Sequence, residues 1–252
     1  MIKRDYQLKY MSWPVIKDKI NSGYDTVIIV LASTEQHGLH LAECTDEVIG
    51  LGIACGLAER LSNALVAPPI IPGLSEHHLA FPGSLTLSKD VFRGIIKNYV
   101  DCYIKHGFQK FIFISSHGGN MQTVKEMVNE LKAAYEDKTF INTLTLEFLL
   151  DFTVRFEKQS NLPFGSCGGH ACTFETSLML HLEPELVSMK AAKAGYVGAQ
   201  DKEFLDSMFK NGIAGVSEIG VIGDPTFASA ELGQKFYHAI LDDMENLLKD
   251  SL

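Results

Sequence analysis

The chain has 252 residues, 46% hydrophobic and 21% charged, which is enough apolar content for a sizeable core and excludes disordered and fibrous classes. Asp plus Glu number 31 against 22 for Lys plus Arg, and the net charge of −9 repels phosphate backbones, so no nucleic-acid partner is expected. The five cysteines never form a CxxC pair and the apolar runs are too short to span a bilayer, so the reading is a cytoplasmic protein with neither a disulfide framework nor a membrane partner.

In chain order, residues 26–32 form a continuous β-branched run, as a parallel strand buried on both faces requires. Val48, Ile49, Ile53, Leu57 and Leu61 recur at helical spacing and predict a helix over 46–62, with Asp46 and Glu47 at the positive end of its macrodipole. Residues 64–71 read as a second strand, and 75–84, rich in His, Pro and Gly, as a long loop. Ser88 is placed to cap the next helix, which Gly107 ends. Lys110–Ser115 reads as a third strand, followed by His117-Gly118-Gly119-Asn120 and a helix with Val124, Met127, Val128 and Leu131 on one face. Residues 139–146 give a fourth strand, 174–182 a short apolar helix, and 228–248 a terminal helix, preceded by an Asp224-Pro225-Thr226 turn in which Thr226 is the candidate cap. The stretch 151–169 shows no clear period and reads as a loop excursion near the site. Alternating strands and helices predict an α/β fold, a three-layer αβα sandwich with a mostly parallel central sheet, as a single domain over 1–252.

The residues able to carry chemistry sit where strands end. Glu35 and His37, two apart beyond the first strand, point to the same side of an extended chain. The loop before Asp46 can fold that carboxylate back over the strand end, and His117 follows the third strand into the same crevice, where open α/β sheets bind ligands. Gly118 and Gly119 allow a tight turn or a close approach, and Asn120 is available to hold the loop. In the 168–177 segment His170 lies on a glycine turn and Glu175 enters an apolar helix, where a carboxylate is costly unless paired, protonated or metal-bound. Each piece alone also reads as structure: a histidine satisfying loop carbonyls, a glycine turn, a solvated acidic residue. Together Glu35, His37, Asp46, His117 and Glu175 make a thiolate-free set suited to Zn, Mn or Fe(II), enough for two divalent ions sharing one carboxylate. Such a pair suits hydrolysis by a metal-bridging hydroxide, with His170 passing a proton to the leaving nitrogen.

The remaining histidines divide. His77 and His78 either orient substrate or a metal-bound water, or stabilise their loop. His40 reads as a supporting residue bonded to a ligand carboxylate, and His106, His181 and His238 as structural. Cys44 and Cys172 read as buried small hydrophobes, a site thiolate being the alternative.

The motifs resemble those of the creatininase family, the creatinine amidohydrolase-like metal-dependent hydrolases. They are Ser33-Thr34-Glu35-Gln36-His37-Gly38 with His40-Leu41 and Thr45-Asp46; Ser75-Glu76-His77-His78 with Phe81-Pro82-Gly83-Ser84; Ser116-His117-Gly118-Gly119-Asn120; Gly168-Gly169-His170-Ala171 with Glu175-Thr176-Ser177; and the block from Gly220 to Thr226 with Ala228-Ser229. The resemblance implies an αβα fold, a binuclear centre, hydrolysis of a C–N bond in a small cyclic or linear amide, and a homo-oligomer, commonly a hexamer. Carried onto this chain, it makes Glu35, His37, Asp46, His117 and Glu175 the ligands, Asp46 the bridge and His170 the acid/base. Ala32, Leu39, Ala42 and Cys172 depart from the family pattern at positions of turn geometry or packing. The family's creatinine-specific members cover the ring with tryptophans, whereas the one tryptophan here, Trp13, lies outside every motif and disfavours creatinine as substrate. Other family activities include deformylation of a formamide and peptide cleavage. From a different class, a catalytically silent metal-binding scaffold of the same fold is the competing reading.

Overall fold

The computed structural model describes residues 2–200 and 202–249. Its centre is a parallel sheet of β1 (Thr26–Leu31), β2 (Ala64–Val66), β3 (Lys110–Ser115) and β4 (Thr139–Asn142) in the order β2-β1-β3-β4. β1 and β3 run in register from Thr26 opposite Lys110 to Leu31 opposite Ser115, so both strands end at the same level. All six residues of β1 are buried, the environment its β-branched run demands. The α-helices among the described residues are α1 (Trp13–Asn21), α2 (Thr45–Leu61), α3 (Lys89–His106), α4 (Gly118–Ala134), α5 (Leu146–Gln159), α6 (Thr173–Leu182), α7 (Lys202–Asn211) and α8 (Ala230–Lys249).

Alternation along the strands builds two cores. Ile28, Val30, Ile112, Ile114 and Ile141 face one side, where they pack with α2, α5, α6 and α8 through residues such as Leu57, Phe152, Leu178 and Phe236. Val27, Ile29, Leu31, Phe111, Phe113 and Phe140 face the other side, with Phe92, Ile96 and Val100 of α3 and Val124, Met127 and Leu131 of α4. This is the expected three-layer αβα sandwich. A smaller cluster of Phe204, Ile213 and Ile222, with Phe81 and Tyr196 against it, packs α7 over the loop that carries His77 and His78. No helix of the described residues is long and apolar enough to cross a membrane.

Several local expectations change. The second strand stops at Val66, after which the chain reaches β1 only through isolated bonds such as Ile70 N–H to Val30 O at 2.9 Å. The fourth strand ends at Asn142. The stretch 151–169 is not wholly a loop, because α5 runs to Gln159, its Phe148, Phe152 and Phe156 stacking in a row along one face. Thr145 caps α5 by accepting from Phe148 N–H at 3.2 Å. Thr226 does not cap the terminal helix: its hydroxyl bonds Asp224, and Ser229 accepts from Leu232 N–H at 3.1 Å instead. Helices α1 and α7 answer to no feature identified in the sequence.

Candidate metal centre

The site lies beyond the C-terminal ends of β1 and β3. The chain leaving β1 carries Glu35 and His37 into the interior, both 1% exposed. Asp46 occupies the first turn of α2, 2% exposed, its cost offset in part by the positive end of that helix. His117 is the residue before α4. Gly119 behind it has to be glycine, since a Cβ there would stand 2.3 Å from Leu74 O and 2.5 Å from His117 Nε2. Glu175 lies in the first turn of α6 and accepts from the N–H of Ala171, a residue held at φ 50°.

Three groups of three ligand atoms meet here, Glu35–Asp46–His117, His37–Asp46–Glu175 and Glu35–His37–His170, and Asp46 is common to the first two. Its Oδ1 is 3.3 Å from His37 Nε2, and its Oδ2 is 3.4 Å from His117 Nδ1. Glu35 Oε1 is 3.1 Å from His117 Nδ1, and Glu175 Oε2 is 4.0 Å from His37 Nε2. Donors about 3.4 Å apart are spaced as the edges of a tetrahedron around an ion bonded at about 2.1 Å. Asp46 Oδ2 and His37 Nε2 are buried with no hydrogen-bond partner, a costly state that cations at the two Asp46-containing groups would relieve.

The imidazoles are oriented as metal-binding histidines are. His37 Nδ1 is 3.1 Å from Glu35 O and His117 Nε2 is 3.1 Å from Leu74 O. A carbonyl oxygen only accepts, so each of those nitrogens carries a hydrogen and the opposite nitrogen faces the carboxylates. Burial alone would lower both histidines. Asp46, then Glu175 and Glu35, outweigh it and raise His37 to about 10. Glu35, then Asp46, raise His117 to about 9. Burial also works against the Glu35 carboxylate, yet the charged His117 beside it holds it well below the usual range. Burial pushes Glu175 up to about 7. Burial and the neighbouring Glu35 charge raise Asp46.

His170 lies against this group. Its Nε2 donates to Gln36 O at 2.8 Å, which leaves Nδ1 bare and 3.9 Å from Glu35 Oε1. Burial, helped by His37 and His78, holds it neutral. His78 donates through Nε2 toward Glu35 Oε1 at 3.3 Å, while its Nδ1 is 3.1 Å from Gln36 Nε2. His77 stacks on the His117 ring with centroids 5.6 Å apart. His40 is bonded to the Thr176 hydroxyl at 2.8 Å, next to Glu175, and not to a ligand carboxylate as expected. Asn120 ties the loop down: Oδ1 accepts from Leu74 N–H at 2.9 Å, and Nδ2 donates to the carbonyls of Leu31 and Ala32 at 3.2 and 3.1 Å. Cys172 is buried, and burial pushes its thiol up to about 12, so it offers no thiolate.

Two supporting residues were not singled out in the sequence. Ser75 donates to Glu35 Oε2 at 2.6 Å, and the Gln36 amide joins His78 to Gly220 O, 3.2 Å away. Their place inside the Ser75-Glu76-His77-His78 and Glu35-Gln36-His37 motifs was the available signal.

Comparison with known proteins identifies the family. The creatininase family model, described as creatinine amidohydrolase, matches residues 9–248. A mycofactocin precursor peptide peptidase of Mycobacterium ulcerans (strain Agy99) is 31% identical over 238 residues, covering 89% of this chain and 85% of that protein. Among solved structures, a creatinine amidohydrolase (creatininase) aligns with a TM-score of 0.84 at 19% identity over 98% of both chains. A mutant creatininase of Zn-Zn type aligns at 0.82 with 21% identity over the same shares. The fold, the motif order and the near-complete coverage place this chain in the creatininase family of hydrolases.

Proposed function

We propose that this chain is a binuclear metal-dependent amidohydrolase that cleaves a C–N bond of a small amide, a linear peptide amide fitting better than creatinine. Glu35, Asp46 and His117 would hold one divalent ion and His37, Asp46 and Glu175 the other. The observation that carries this reading is Asp46, whose two oxygens are divided between two buried histidines while His37 Nε2 and Asp46 Oδ2 lack hydrogen-bond partners. A thiolate-free N/O set suits Zn, Mn or Fe(II), and two such ions supply a nucleophile at neutral pH and polarise the amide carbonyl.

The chain's own groups do the rest. Nδ1 of His170, bare and neutral, takes up a proton in the pocket and returns it to the leaving nitrogen, while the Gln36 carbonyl keeps the ring from turning. Ser75 and His78 fix the Glu35 carboxylate from two sides. Trp13 lies on α1, 75% exposed and apart from the site, so no indole covers a flat cyclic substrate. Lys89 and Lys125, the cations that follow the motif loops in sequence, pair with Glu126 at 2.8 Å and Glu147 at 3.2 Å on an exposed surface, which argues against a phosphorylated substrate. The peptidase name of the 31% identical relative points the same way. The free state of all five cysteines fits a cytoplasmic setting, and we read the chain as one domain forming a homo-oligomer, as its family motifs imply.

The test is a panel of short peptides, formamides and creatinine offered to protein loaded with Zn or Mn. Peptide hydrolysis is expected, with His170→Ala lowering kcat by about 10²- to 10⁴-fold at unchanged metal content. Loaded wild type that cleaves nothing would favour the silent scaffold.

A further inference from the structure

Glu157 is a carboxylate that the chemistry above does not use, 9% exposed in the last turns of α5. Among the described ion pairs none includes it, so a cation does not account for its burial, and what it does contact is a loop backbone. Its Oε1 accepts from Cys167 N–H at 2.8 Å and from the Ser166 hydroxyl at 3.3 Å. The Ser166 carbonyl in turn accepts from Thr173 N–H, the first residue of α6, and from Asp224 N–H, each at 3.1 Å. Ser166 is therefore a node where α5, the start of α6 and the turn at Gly223-Asp224 meet.

Three residues lead from that node to His170, and they have little slack. A Cβ on Gly168 would stand 2.8 Å from Ile222 O, and Gly169 holds φ at 108°, a conformation suited to glycine. His170 itself exchanges backbone bonds with Ile222, at 3.2 and 2.9 Å. Ile222 fixes the far side of the turn, and Glu157 fixes its entry.

We propose that Glu157 is a positioning residue for His170: by accepting from Cys167 and Ser166 it locks the glycine turn that sets where the imidazole stands. This rests on the reading of His170 as acid/base. The role needs an acceptor of this length and not a negative charge, so Gln serves, Asp falls short by a methylene, and Leu leaves the Cys167 N–H without a partner.

Hydrogen exchange by mass spectrometry on metal-loaded wild type, Glu157→Gln, Glu157→Asp and Glu157→Leu tests this without a substrate. Peptides spanning 165–171 should exchange about tenfold faster in the Leu variant, with β1 and α2 unchanged and Gln like wild type. With a cleaved substrate in hand, kcat should fall about tenfold or more in the Leu variant at unchanged KM and metal content, and Gln should restore it. If Leu does not fold, Asp carries the comparison and should show the same local loosening. Wild-type exchange in the Leu or Asp variant, or loss of kcat in the Gln variant equal to that in Leu, would overturn the proposal. Local loosening together with an inactive wild type would instead leave the turn-locking role standing and remove the hydrolase reading.

Discussion

Asp46 is the residue whose replacement separates a shared ligand from terminal ones. Because one oxygen faces His37 and the other His117, Asp46→Asn should cost both ions, while Glu175→Gln should cost mainly one, which metal analysis of the purified variants would show. Protons compete at the same atoms. With folded values of about 10 for His37 and about 9 for His117, both imidazoles are protonated at pH 7 before metal binds, so binding must expel those protons. Metal affinity should therefore climb with pH until about 9 to 10 and then level, and calorimetry in buffers of different ionisation enthalpy should record proton release at pH 7. Binding at pH 7 with no proton release would contradict this. The five ligand candidates were legible in the sequence because each sits at a strand end or in a first helical turn, where topology alone says side chains converge. Ser75 and Gln36 were not, because their partners come from distant segments, and Glu157 was not, because the stretch that holds it and its partners Ser166 and Cys167 read as a loop.

At the scale of elements, α5 is the instructive case. The aromatic row Phe148, Phe152 and Phe156 has helical spacing, but it straddles position 151, and dividing the chain there hid the period. Phe152 is 1% exposed and packs on Phe156, Phe174 and Phe236, so α5 belongs to the core. Phe152→Ala should cost about 3 to 5 kcal/mol of unfolding free energy in urea titration, whereas a loop residue would cost under about 0.5. Helices α2, α3, α6 and α8 fall within two residues of their expected limits, and α4 carries the expected face of Val124, Met127, Val128 and Leu131. α1 has no fully buried residue, and only Ile16 and Ile20, one turn apart, pack against the core, a stripe too short to announce a helix. Ser229 took the place expected of Thr226 because Asp224 engages the threonine hydroxyl first, and Ser229→Ala should cost about 1 kcal/mol, measured the same way.

Over the whole molecule, two cores share one four-stranded sheet, so neither face can open without exposing the strands of the other. Phe92→Ala on one side and Phe236→Ala on the other should therefore shift a single unfolding transition, each by about 3 to 5 kcal/mol, in metal-free protein followed by circular dichroism. Two separable transitions would contradict a one-domain reading. The layer architecture was visible in the sequence because short β-branched runs between amphipathic helices admit few alternatives, while the small α7 cluster depends on contacts that no local pattern announces. The same sheet that joins the cores brings β1 and β3 out at one level, and that coincidence brings the candidate ligands together. The most direct measurement is the metal content of protein purified without added metal or chelator, for wild type and His117→Ala in parallel. About two divalent ions per chain in wild type, falling in the variant, is the expected result. A wild type that stays metal-free even after reconstitution with Zn, Mn and Fe would contradict the account.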